Sequence, residues 1–170
     1  MTMASQGDIV VGVDHSAASV AALRWAVSEA TQSGRQVVAL RAWSFEPVAD
    51  LGAAVAGSPE TVADRERRQL EEVVGEVRAE HQGVAVRAEL VEHSAAVALE
   101  EASKTAAMLV LGSHGRGRLL KLLVGSVAEH CLREARCPVV VIPARTVPEP
   151  EKETAAAPEP AGSYYPGPLL

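Results

Sequence analysis

Short β-branched runs alternate along this chain with longer segments of helical period. Residues 8–14, DIVVGVD, are a run of the first kind and end on a turn-former. In 16–34, Val20, Leu23, Val27 and Ala30 fall on one helical face, with Ser16 placed to cap the start and Gly34 to stop the helix. Residues 35–43, RQVVALRAW, predict a second strand, and 44–58, with Pro47, Gly52 and Gly57, a loop. From Pro59 the charge density rises, and Leu70, Val73, Val74 and Val77 repeat at helical spacing up to Gly83. VAVRAELVE (84–92) alternates as a half-exposed strand should. Ser94 opens a helix over 95–105, and the continuous apolar run AAMLVLGS (106–113) predicts a central strand. Val124, Val127, Ala128, Cys131, Leu132 and Ala135 mark one more helix face, and PVVVIP (138–143) is the last strand. Strands and helices in strict alternation predict an α/β sandwich with a parallel sheet and right-handed crossovers.

Composition narrows this picture. Hydrophobic residues make up 48% of the chain and aromatics only 3%, so the core must be Val, Leu and Ala. A net charge of −6 argues against a general nucleic-acid surface. No apolar run is long enough for a membrane span, and MTMASQGD lacks the order of an export leader, so a cytoplasmic protein without membrane contact is expected. Cys131 and Cys137 fit no common zinc spacing and read as reduced, mostly buried thiols. Residues 144–170 carry six of the ten prolines, too little apolar periodicity to offset ordering entropy, and are expected to be a disordered acidic tail. Residues 1–7 are expected to be a disordered start, which leaves one domain over 8–143.

The segment 110–126, VLGSHGRGRLLKLLVGS, carries the candidate chemistry. It is no Walker loop, no G-x-G-x-x-G after a first strand, and no G-x-S-x-G elbow. Gly112 and Gly115 lie just past a strand's carboxyl end, where bare main chain lets N–H groups converge. Gly125-Ser126 then open a helix, whose start offers unpaired N–H groups and the positive end of its dipole. Arg116, Arg118 and Lys121 add local positive charge in an acidic chain. The combination suits a phosphate chain. The same residues also admit a reading without a ligand: Gly112 as tight packing, Gly115 and Gly117 as turn residues, and Ser126 with Glu129 as a capping box.

Gly112-x2-Gly115-x9-Gly125-Ser126 resembles the G-2x-G-9x-G-[S/T] motif of the ATP-binding branch of the universal stress proteins. IVVGVDHSAASVAALRWA looks like that family's first strand and helix, and CPVVVIP like its last strand, so the likeness spans 8–143. It implies a three-layer sandwich of the Rossmann-like, adenine nucleotide alpha hydrolase-like kind, with a five-stranded sheet in the order 3-2-1-4-5. It further implies that Gly112, Gly115, Gly125 and Ser126 surround phosphates, with His114 and Arg116 beside them and Val127 adding an amide. Gly12, Val13 and Ala42 would line the adenine, with Leu111 beside the site. Asp14 would serve the ribose, or a Mg²⁺ or Mn²⁺ ion through water. One departure is Ala128, where some members carry a hydroxyl. Asp14 also admits a reading as cap of the first helix or its turn, and His114 one as a solvent-facing loop residue. His15 and His130 read as surface or packing residues.

The resemblance points to a nucleotide-dependent regulatory protein that binds ATP with Mg²⁺ or Mn²⁺. The alternatives are a slow ATPase or phosphotransferase, for which no convincing base beyond Asp14 or His114 is visible, and a cyclic-AMP-binding variant. A homodimer through 138–142 is expected, because an apolar edge strand is a liability if left bare. A protein partner would remain to be identified.

Overall fold

A computed structural model describes residues 7–44, 59–113 and 124–143. The expected tail, residues 45–58 of the expected loop and the segment holding His114, Gly115 and Arg116 lie outside the described residues. The elements are β1 (Ile9–Gly12), α1 (Ala17–Ser33), β2 (Val37–Trp43), α2 (Pro59–Glu80), β3 (Val86–Glu92), α3 (Ala95–Ser103), β4 (Met108–Gly112), α4 (Ser126–Glu134) and β5 (Val139–Ile142). All strand pairs are parallel, as the alternation of elements predicts, and the sheet order is β3-β2-β1-β4-β5, as the family resemblance implies.

The strands are apolar throughout because both faces of the sheet are covered. Side chains alternate between two cores. Ile9, Val11, Val37, Ala39 and Val110 pack under Leu23 and Val27 of α1 and Leu70, Val74 and Val77 of α2. Val10, Val38, Leu40, Leu109 and Leu111 pack under Leu99 of α3 and Ala128 and Cys131 of α4. With almost no aromatics, these cores depend on small residues seated close to the sheet, as Ala22, Ala26 and Ala30 of α1 are.

Local signals explain the element ends. Ser16 caps α1 by accepting a hydrogen bond from the Ser19 N–H at 3.1 Å, and Gly34 ends it at φ 68°, where a side chain would be strained. The helix after Ser94 stops at Ser103, two residues short of the expected end, because the chain must turn to enter β4. Of the residues expected to mark the apolar face of α4, Val124 lies just before the helix and is 43% exposed, and Leu132 is 52% exposed. Only Ala128 and Cys131 of that helix are fully covered, since α4 packs on the sheet along a narrow stripe. Burial pushes the Cys131 thiol up to about 11, with Cys137 and Glu100 adding to the shift, and burial also raises Cys137. Both cysteines are free thiols.

Candidate functional site

β1 and β4 are neighbours, yet β1 leads to α1 on one face and β4 leads to α4 on the other. The chain therefore opens a crevice at the carboxyl ends of these two strands, where open parallel sheets receive ligands. Main-chain polar groups alternate sides along a strand. Leu40 turns its carbonyl toward β1, accepting from the Val13 N–H at 2.9 Å, whereas Trp43 accepts from His93 on the β3 side. Ala42 follows Leu40 by two residues, so its N–H and C=O face the β1 side too. There β1 has already ended, and the pair of main-chain groups faces the crevice. Gly12 and Gly112 end the two strands that border it, with Leu111 buried beside them.

The β1–α1 turn carries Asp14 into this region. Its Oδ1 accepts two hydrogen bonds from Ser16, one from the N–H at 3.0 Å and one from the hydroxyl at 2.6 Å. The Asp14 N–H donates to the Ser19 hydroxyl at 3.3 Å. His15, between them, has φ 63°, an uncommon conformation for a residue with a side chain. Asp14 thus does take part in the turn at the start of α1, which the sequence left open. Ser16 serves twice, as helix cap and as brace for Asp14. Replacing Ser16 by Ala is expected to cost about 1 kcal/mol of stability, read as a lower urea midpoint with an unchanged slope.

At the other wall, Ser113 donates its N–H to Ile142 at 2.8 Å, and Gly125 donates its N–H to the Ser113 carbonyl at 2.8 Å. That second bond ties the point where the chain leaves β4 to the point where it enters α4. The basic segment between them starts and ends at one place. Gly125 is the N-cap of α4 and makes no side-chain cap hydrogen bond. Ser126 is the first helical residue and is exposed, one position too late to cap. Glu129 pairs with Arg133 at 3.1 Å. The capping box that the sequence admitted is not formed, because the N-cap position belongs to a glycine. Val127 is half-buried behind this helix start, and Ala128 is 3% exposed against the sheet.

Two charged contacts near the site had only a faint sequence signal. Arg41, the one charge in an otherwise apolar strand, is 8% exposed and pairs with Glu66 of α2. Burial works to raise the Glu66 carboxyl, but the hydrogen bond and charge of Arg41, with help from Arg65, hold it below its ordinary value. His130 of α4, to which the sequence assigned no role, lies 2.9 Å from Glu100 of α3 and joins the two helices. Among the described residues no three His, Cys, Asp or Glu side chains cluster as a metal site. None of the described helices is long and apolar enough to cross a membrane.

The universal stress protein family model matches residues 7–143. A universal stress protein of Mycolicibacterium smegmatis is 35% identical over 146 residues, which covers 82% of this chain and 49% of that protein. A universal stress protein of Methanocaldococcus jannaschii is 32% identical over 149 residues, covering 85% and 84%. This chain therefore belongs to the universal stress protein family. It spans about half the length of the mycobacterial relatives it matches. Solved structures share the fold. One is a universal stress protein in complex with cAMP, with a TM-score of 0.61 at 20% identity, covering 82% of this chain and 98% of that one. Another is the universal stress protein from Archaeoglobus fulgidus in complex with dAMP, with a TM-score of 0.59 at 23% identity, covering 80% and 97%.

Proposed function

We propose that this protein binds ATP in the β1/β4 crevice and acts as a nucleotide-dependent regulator in a stress response. The observation that carries the reading is the pairing of two main-chain features. Ala42 turns a donor and an acceptor toward the crevice, a pattern suited to an adenine edge. Opposite it, α4 begins at a glycine with no side chain over its first turn, where a phosphate can take the N–H groups and the dipole. Leu111 and Gly112 form the base, and Ser126 and Val127 offer amides at the helix start. Gly115, His114 and Arg116, which the motif assigns to the phosphates, lie outside the described residues. The adenine nucleotides bound by the two solved relatives support a nucleotide ligand without deciding which one.

Asp14 fits the ribose hydroxyls, or a Mg²⁺ or Mn²⁺ ion held through water. Mg²⁺ commonly binds through one or two carboxylates together with substrate phosphates, so a single carboxylate is a sufficient protein donor. Such an ion would offset the repulsion between Asp14 and a triphosphate. The Ser16 bonds fix one carboxylate oxygen and so set the direction of the other.

Denaturing the purified protein and chromatographing the supernatant tests the reading. Stoichiometric adenine nucleotide supports it. Its absence, together with no heat of binding for millimolar ATP, cAMP or AMP, would overturn it. A cAMP-binding protein would instead favour cAMP over ATP in the same titration. A slow ATPase would release phosphate, with the rate falling when Asp14 is replaced by Asn.

The protein is also proposed to be a homodimer through β5. This strand is the sheet's edge, beyond β4, and Val139, Val140, Val141 and Ile142 are all half-exposed. Sedimentation velocity is expected to give a dimer at micromolar concentration, and Val141→Lys, at the β5 position outside both cores, is expected to give a monomer that still folds.

A further inference from the structure

Beyond the crevice walls, Arg41 carries a charge that the proposed site does not use. A strand buried on both faces is a costly place for a cation, and Arg41 has Val37 and Ala39 as the preceding residues on its own face. Its guanidinium is committed on two sides. Nε donates to Glu66 Oε2 at 2.6 Å, and Nη2 contacts the same oxygen. Nη1 donates to the Val13 carbonyl at 3.4 Å. The side chains of Arg41 and Glu66 are 9% and 12% exposed.

The target of the third contact is informative. Val13 is the first residue after β1, and its N–H is already used on Leu40. Its carbonyl lies past the last β1–β2 pair, Gly12 with Leu40. Arg41 takes it. The next residue along β2 is Ala42, whose main-chain groups face the crevice, and the next residue after Val13 is Asp14. One guanidinium therefore holds the two strand ends that flank the nucleoside end of the crevice. The α4 end, where phosphates would lie, is on the far side of β1 and is not touched by the pair.

We propose that the Arg41–Glu66 pair is a positioning device for the nucleoside half of the ligand, setting the gap between Val13 and Ala42. The proposal rests on the nucleotide-binding reading above. Glu66 acts through Arg41, and Arg41 acts through the Val13 carbonyl; neither is taken to touch the ligand.

The simpler alternative is that the pair only fastens α2 to the sheet. Two variants and two probes separate the cases. Glu66→Gln keeps a hydrogen-bond acceptor but removes the charge that orients the guanidinium. The double variant Arg41→Met/Glu66→Met removes both charges and fills the space with apolar atoms, a change that is often neutral or stabilising for a buried pair. ATP and inorganic tripolyphosphate are titrated calorimetrically into each protein, alongside thermal unfolding. Expected is an ATP affinity lowered about tenfold in both variants, with tripolyphosphate affinity kept within about twofold of the wild type. The double variant should show this loss even when its unfolding temperature equals or exceeds the wild-type value. Wild-type ATP affinity in the double variant would overturn the proposal, and so would a parallel loss for tripolyphosphate. If the wild-type protein binds neither probe, the nucleotide reading fails first and takes this one with it.

Discussion

Gly125→Asp is expected to unfold at the wild-type temperature or slightly above it, and to bind ATP at least about a hundredfold more weakly. The two halves of this prediction have one cause. Gly125 caps α4 with φ −63° and ψ 154°, a conformation open to any residue. Nothing in its backbone demands glycine. Aspartate is among the preferred N-cap residues, because its carboxylate accepts from the second or third N–H of the helix and complements the dipole. Relative to glycine this is a gain of a few tenths of a kcal/mol. The same carboxylate occupies the amides assigned to phosphate and sets a negative charge where phosphate would lie. Repulsion of about 3 kcal/mol, ordinary for charges a few ångströms apart near a protein surface, is about a hundredfold in affinity. Calorimetric titration and a thermal melt on the same sample read both effects. Undiminished ATP binding would show that the start of α4 is not the phosphate site. A large loss of stability would show that the glycine serves packing and not access.

Much of the fold was legible because the pattern is redundant. The run IVVG has no polar interruption and can only be a strand covered on both faces, as β1 is. Ser16 and Gly34 bracket α1 with chemistry that acts within one turn, and both behave as their types suggest. What the sequence did not reveal are longer-range effects. Leu132 has the right period for burial, but period says only that residues share a face, and the narrow seat of α4 leaves its edge in solvent. Arg41 was visible as an odd charge in VVALRAW, yet its partner lies 25 residues on, in a helix rich in other glutamates. Among Glu66, Glu71, Glu72, Glu76 and Glu80, only the fold selects Glu66.

The site itself was legible to different degrees at its two walls. The family resemblance implied that Gly112, Gly125 and Ser126 gather at one place, and the Gly125–Ser113 hydrogen bond brings the two ends of the segment together. Whether Ser126 capped its helix or stood open could not be read from S-x-x-E, because the answer depends on which residue enters the helix first. The orientation of Ala42 was a different matter. It follows from the parity of a strand once one hydrogen bond of that strand is known, and that bond comes from the sheet. His114, Gly115 and Arg116 remain assignments carried by the motif.

Gly112→Ala should be the most damaging single-methyl change among the crevice glycines, costing about 1–3 kcal/mol and several degrees of unfolding temperature. A Cβ built there would stand 2.7 Å from the Ala18 carbonyl carbon, 2.8 Å from the Ala18 Cβ and 2.9 Å from the Ser19 nitrogen. Two of those three atoms are helix backbone and cannot rotate aside, so the start of α1 has to move off β4. Ser19 is also the residue whose hydroxyl receives the Asp14 N–H, and its own N–H is held by Ser16. A shift of α1 therefore travels into the turn that aims Asp14, and ATP affinity should fall along with stability. Gly12 supplies the control. There an added Cβ meets the Leu111 Cδ2 at 2.8 Å and the Leu99 Cδ1 at 3.2 Å, both ends of side chains that can repack. Gly12→Ala should accordingly lose less than Gly112→Ala in paired urea titrations. The reverse order would mean that α1 is not seated on the main chain of β4, and that Gly112 owes its place to the ligand alone.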